Sequence, residues 1–162
     1  MSRQTYPATA TAIQCSAGMK APVVLLLTND PQLEEAVAET LVENGGVSHL
    51  AYDPGDALQL VCGLGRHLDL AIIDFDHGPH GMTLLGAINM CREDFPVVVV
   101  TRDDEKHVET LAYANGAAAC LPKPVSVAQL ADAMRECRRR QYPLPPLTIP
   151  EQRQVQLEFD AV

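Results

Sequence analysis

Three short apolar runs each end on a polar side chain suited to one pocket. Leu70-Ala71-Ile72-Ile73 stops at Asp74, and Val97-Val98-Val99-Val100 stops at Thr101. Ala117-Ala118-Ala119-Cys120-Leu121-Pro122 stops at Lys123-Pro124. In a parallel α/β sheet, ligands bind at the carboxyl ends of the strands, so a carboxylate, a hydroxyl and an ammonium would converge there. A carboxylate can act as a nucleophile, and a lysine is a good point-charge binder of phosphate. A fourth run, Val23-Val24-Leu25-Leu26-Leu27, brings Thr28-Asn29-Asp30 to the same edge.

The elements that must position these groups follow from periodicity. The spacing predicts strands over 23–28, 47–52, 70–75, 97–101 and 117–121. Asp30-Pro31 supplies an N-cap and a proline at the first helical position. Leu33, Val37 and Leu41 then form one apolar stripe, which ends at Asn44-Gly45-Gly46. Asp53-Pro54-Gly55 reads as a turn before a weaker helix over 56–66. A third helix is expected over 82–92. A fourth begins near Asp103-Asp104-Glu105, acids suited to a helix N-terminus, and stops at Asn115-Gly116. The fifth runs from Ser126 to Arg140 with Val127, Leu130, Met134 and Cys137 inward. This alternation predicts an α/β chain with a flavodoxin-like, doubly wound, five-stranded parallel sheet and five helices.

Asp, Thr and Lys-Pro in this order at strand ends resemble the receiver domain of bacterial response regulators, over residues 22–140. The resemblance implies that Asp74 is the phosphoacceptor. It implies that Thr101 and Lys123 bind phosphate oxygens, and that the bond from Lys123 to Pro124 is cis. The family carries Mg2+ on two adjacent acids, where this chain has Thr28 and Asn29. Asn29 falls at the direct ligand position, and Thr28 at the acid that orients a metal-bound water. Magnesium prefers carboxylate oxygens, so a weak or absent Mg2+ site is expected. Its remaining candidates are Asn29, Asp30, Asp74 and Asp76. Asp30 is expected to serve mainly as a helix cap, and Asp76 to offer its backbone carbonyl. With the acid pair gone, Lys123 is expected to have Asp74 as its one nearby counter-charge.

Two further positions depart from the family. Arg102 stands where most members have a small residue, so its guanidinium either shields the pocket, pairs with Asp74, or faces solvent. Cys120 stands at the position of the family's switch aromatic, and a thiol cannot swing as a ring does. His77 and His80 flank Gly78-Pro79 and read as solvated loop residues rather than metal ligands.

Bulk composition narrows the function classes. The 162 residues carry a formal charge of -9 and are 47% hydrophobic, enough for one core. That acidity disfavours nucleic acid and anionic membrane as partners. Five scattered cysteines without a CxxC pair point to free thiols in a reducing, cytoplasmic compartment. Residues 1–21 read as a disordered extension, with Met19 an alternative start to Met1, and residues 141–162 as a proline-rich tail.

The expected function is a stand-alone, non-enzymatic receiver in a two-component phosphorelay, acting through protein contact. Its partners would be a histidine kinase or phosphotransfer protein, an effector, or both. The alternative is a phosphorylation-independent pseudo-receiver. Third come a receiver fragment of a DNA-binding transcriptional regulator and a flavodoxin-like cofactor-binding protein. Homodimerisation is expected through helix four, strand five and helix five. There Asp103, Asp104, Glu105 and Glu109 at one end would face Arg135, Arg138, Arg139 and Arg140 of a second copy.

Overall fold

A computed structural model describes residues 20–77, 80–102 and 106–141. Alternation of strand and helix holds throughout. The strands are β1 (Val23–Leu27), β2 (Val47–Ala51), β3 (Leu70–Asp74), β4 (Val97–Thr101) and β5 (Ala119–Pro122). The helices are α1 (Pro31–Asn44), α2 (Pro54–Leu64), α3 (Gly81–Cys91), α4 (Lys106–Ala114) and α5 (Val127–Gln141). All neighbouring strands are parallel, in the order β2-β1-β3-β4-β5. This is the flavodoxin-like, doubly wound sheet that the sequence predicts. Among the described residues no helix is long and apolar enough to cross a membrane.

Strand alternation sorts the core into two layers. Leu25, Leu27, Ala71, Ile73, Val97 and Val99 pack with Val61, Leu85, Ile88 and Ala112 from α2, α3 and α4. Val24, Leu26, Leu70, Ile72, Val98 and Val100 face the other way, onto Leu33, Val37 and Leu41 of α1 and Leu130, Met134 and Cys137 of α5. Burial on both faces explains why the central strands read as unbroken apolar runs. Val127 is only half-buried, and Ala133 takes an inward place instead.

The caps explain the boundaries. Asp30 accepts the Gln32 N–H at the start of α1, and Gly45 closes its end with φ 68°. Ser126 and Gln129 make a reciprocal capping box at the start of α5. Asp53-Pro54-Gly55 is not a free turn. Asp53 accepts the Asp56 N–H, so α2 begins at Pro54. β3 ends at Asp74 because Phe75–His77 turns at once into a 3-10 helix. β5 starts at Ala119 rather than 117, because the Ala117 N–H bonds back to the Ala112 carbonyl and so closes α4. The expected start of helix four at 103–105, the extension before Lys20 and the tail after Gln141 lie outside the described residues.

Gly116 sits between α4 and β5 with φ 99°, and a Cβ there would come within 2.7 Å of the Asn89 side chain. Gly116→Ala should therefore cost more than about 1 kcal/mol of stability, since both conformation and space oppose it. Denaturant melts of the two proteins check this.

Candidate functional site

The register aligns the four polar strand ends. Leu27 pairs with Ile73, so Thr28 lies opposite Asp74. Asp74 pairs with Val100, and Thr101 with Pro122. The Lys123 N–H then donates to the Thr101 carbonyl at 3.0 Å, which fixes the lysine just beyond the end of β5. The Lys123-Pro124 bond is cis. Thr28, Asp74 and Thr101 are all buried.

Lys123 is the hub of the site. Its Nζ lies 2.8 Å from Asp74 Oδ2, 3.2 Å from Asp30 Oδ2 and 3.4 Å from Asp76 Oδ2. An ammonium has three N–H donors, one for each carboxylate. The side chains of Lys123 and Asp74 are 7% and 3% exposed, so water screens their contact little. The expectation of a single counter-charge is therefore corrected. Asp30 caps α1 through Oδ1 and reaches the lysine through Oδ2, which leaves both functions to one side chain.

Asp74 is held at both oxygens. Oδ2 accepts the Thr28 hydroxyl at 2.8 Å as well as the ammonium. Oδ1 accepts the Asp76 N–H at 2.9 Å. Thr28 Oγ1 in turn accepts the Asp30 N–H at 2.9 Å. Nothing in the primary sequence marked Thr28 as a donor. In the sequence Thr28 stands out only as a neutral residue where the family has an acid.

The other candidates divide. The Arg102 side chain is 72% exposed, with its Nε 4.0 Å from Asp76 Oδ2, and its backbone N–H donates to that same oxygen. It therefore reaches Asp76 and not Asp74. Asn29 is exposed, as is His80. Pro124 lines an open cleft of about 460 Å³ with Asp30, Gln32, Leu33, Arg102, Lys123 and Val125. Cys120 is half-buried, and its N–H donates to the Tyr113 hydroxyl at 3.3 Å. An aromatic ring thus stands beside β5 after all, supplied by α4. On the expected dimer face, Asp103, Asp104 and Glu105 lie outside the described residues, and Glu109 is exposed. Arg135 and Arg140 are paired within α5, to Asp132 at 3.0 Å and Glu136 at 3.5 Å. Arg138 donates to the Lys20 carbonyl.

Receiver domains as a family typically bind Mg2+, and these residues fit such a site poorly. The cation position among the three carboxylates is taken by Lys123. Asp76 Oδ2 also accepts the Arg102 N–H, and Asp30 Oδ1 is committed to the helix cap. Among the described residues, no group of three or more His, Cys, Asp or Glu side chains is arranged to hold a metal ion.

Ionisation follows from the same contacts. Burial opposes the charged form of Lys123, but hydrogen bonds and charge from Asp74 and Asp30 outweigh it and raise the pKa above 10.5. Burial likewise opposes ionised Asp30. Its bonds to Lys123 and to the Gln32 and Leu33 N–H groups outweigh that and lower its pKa below 3.8. Burial, then the Glu109 charge, raise the Cys120 thiol, which is therefore no ready nucleophile.

Among the described residues, removing Lys123 would leave three crowded carboxylates with only the exposed Arg102 guanidinium near Asp76. Lys123→Met should cost about 3 kcal/mol near neutral pH. The lysine's raised pKa makes its contribution complete below 10.5 and lost as pH climbs through the raised value. Asp30's lowered pKa makes its contribution complete above 3.8 and lost as pH falls through the lowered value. The stability gap between native and variant should be flat between these limits and narrow outside them, as urea titrations at several pH values would read.

A family model for the response regulator receiver domain matches residues 24–135. Response regulator MprA of Mycobacterium sp. (strain KMS) is 28% identical over 126 residues, covering 74% of this chain and 52% of that protein. The chain thus spans about half the length of the curated relatives it matches. A receiver domain protein from Clostridium thermocellum superposes with a TM-score of 0.67 at 21% identity, over 74% of this chain and 96% of that one. The signal receiver domain of an HD domain-containing protein from Pseudomonas fluorescens Pf-5 gives 0.67 at 25%, over 76% and 98%. Fold, strand-end order and family match agree: this chain belongs to the response regulator receiver domain family of two-component signalling.

Proposed function

We propose that this chain is a two-component receiver that accepts a phosphoryl group on Asp74, with a weakened Mg2+ site, and acts through protein–protein contact. One observation carries the reading. Asp74 stands buried at the end of β3 with the Lys123 ammonium 2.8 Å away. Thr101, at the end of β4, would supply a hydroxyl to a phosphate oxygen. The phosphoryl group would come from a histidine kinase or phosphotransfer protein, and an effector would read the result. The test is incubation with a small phosphoryl donor across a Mg2+ titration, with the acyl phosphate on Asp74 detected by mass.

A second reading, a pseudo-receiver that works without phosphorylation, draws on the charge count. Asp30, Asp74 and Asp76 against Lys123 and Arg102 already leave one net negative charge. A phosphoryl dianion would add to that excess with neutral Thr28 and Asn29 beside it. Failure to label Asp74 at any Mg2+ concentration selects this reading.

Two outcomes are expected. Mg2+ should bind well below the affinity of receivers with the acid pair, and the double substitution Thr28→Asp with Asn29→Asp should raise it. Amide shifts near Asp74 during a Mg2+ titration would show this, and native saturation at millimolar Mg2+ or below would refute it. Association through α4, β5 and α5 should not require phosphorylation. With Arg135 and Arg140 paired inside α5, the exposed Leu111 and Tyr113 take a larger part in that contact. The untreated protein should sediment as a dimer at moderate and at high salt. A monomer at both would remove the constitutive contact.

A further inference from the structure

We propose that Thr28 is a positioning residue for Asp74, one that fixes the acceptor carboxylate by hydrogen bonding where the family uses metal coordination. The inference rests on the acceptor reading of Asp74. Three contacts carry it. The Thr28 hydroxyl donates to Asp74 Oδ2 at 2.8 Å. Its own orientation is set by the Asp30 N–H, which donates to Oγ1 at 2.9 Å at the entry to α1. Thr28 is 1% exposed, so water does not compete for either bond.

The chemistry differs in kind from that of an acid at this place. A second carboxylate would repel Asp74 and need a cation between them. A hydroxyl donates to Asp74 directly. With the Lys123 ammonium on the same atom, both lone pairs of Oδ2 in the carboxylate plane are engaged. Oδ1 receives the Asp76 N–H and keeps its second lone pair for attack. Thr28 and Lys123 therefore select which oxygen reacts. With acetyl phosphate as donor, Oδ1 attacks phosphorus. The Oδ1–P bond forms as the P–O bond to acetate breaks, and acetate leaves with the bonding pair. No proton changes hands.

The device also ties the acceptor to α1. The Asp30 carboxylate caps α1 and meets Lys123, while its N–H holds Thr28. Asp74, Thr28 and Asp30 thus form a closed ring of hydrogen bonds through Lys123. An orientation set this way does not wait for a metal.

The experiment measures incorporation of labelled phosphate from acetyl phosphate into the full chain, with Mg2+ and with EDTA, for native protein, Thr28→Ser, Thr28→Val and Thr28→Cys. Serine keeps the hydroxyl and should label within about twofold of native. Valine keeps the shape but not the donor, and cysteine is a weak donor. Both should label about tenfold slower, the size of one lost hydrogen bond to a charged group. Should the valine variant fail to fold, the serine–cysteine pair decides. Equal rates for native and valine, or for serine and cysteine, overturn the positioning role while the acceptor reading stands. A native chain that takes no label under either condition overturns the acceptor reading and this role with it.

Discussion

One ammonium among three carboxylates holds the carboxyl edge of this sheet together. Lys123 draws Asp30 from the start of α1, Asp74 from the end of β3 and Asp76 from the turn beyond it. Its backbone is fixed to β4 through the Thr101 carbonyl. Three acids this close would repel each other strongly at low dielectric without a cation between them. The positions of α1, the turn after β3 and the loop before α5 therefore depend on a single side chain. The sheet makes this possible. Its register brings the strand ends level, and the two apolar layers bury both of its faces.

The same arrangement explains how a pocket with Thr28 and Asn29 at the end of β1 is held by hydrogen bonds. Neutral Thr28 and Asn29 add no further carboxylate beside Asp74, and the lysine settles among Asp30, Asp74 and Asp76. The threonine adds a donor where a carboxylate would have added a repulsion. Asp74 is oriented by protein groups at both oxygens. A pocket partly neutralised from within has less to gain from a divalent cation, and its remaining negative charge opposes a phosphoryl group. Both consequences come from one substitution of charge.

Around the pocket, neighbouring elements add contacts to the strand ends. Cys120 puts no ring on β5, but α4 lays Tyr113 against the outer edge of that strand, where its hydroxyl accepts the Cys120 N–H. Pairing of an edge-strand N–H in this way also removes one group that could recruit another strand. The basic end of α5 spends much of its charge on its own helix and on the Lys20 carbonyl. The basic half of a face that reads as a charge dipole in the sequence is thus partly paired once folded.

The sequence by itself determined the architecture and the identity of the pocket's groups. Apolar runs of fixed length end where a buried strand must end, and caps such as Asp30 and Ser126 with Gln129 act within one turn of chain, so local order reveals them. It could not determine who meets whom at the strand ends. Thr28 is 46 residues from Asp74 and Lys123 is 49 residues from it, and only the parallel register makes them neighbours. Order along the chain leaves Arg102 free to face pocket or solvent; the loop after β4 decides it by setting the Arg102 backbone N–H against Asp76. The resemblance to the receiver family implied that Thr28 and Asn29 stand where an acid pair is usual. That a lysine and a threonine meet on one oxygen of Asp74 is a property of three dimensions, because charge balance depends on distance and not on order along the chain.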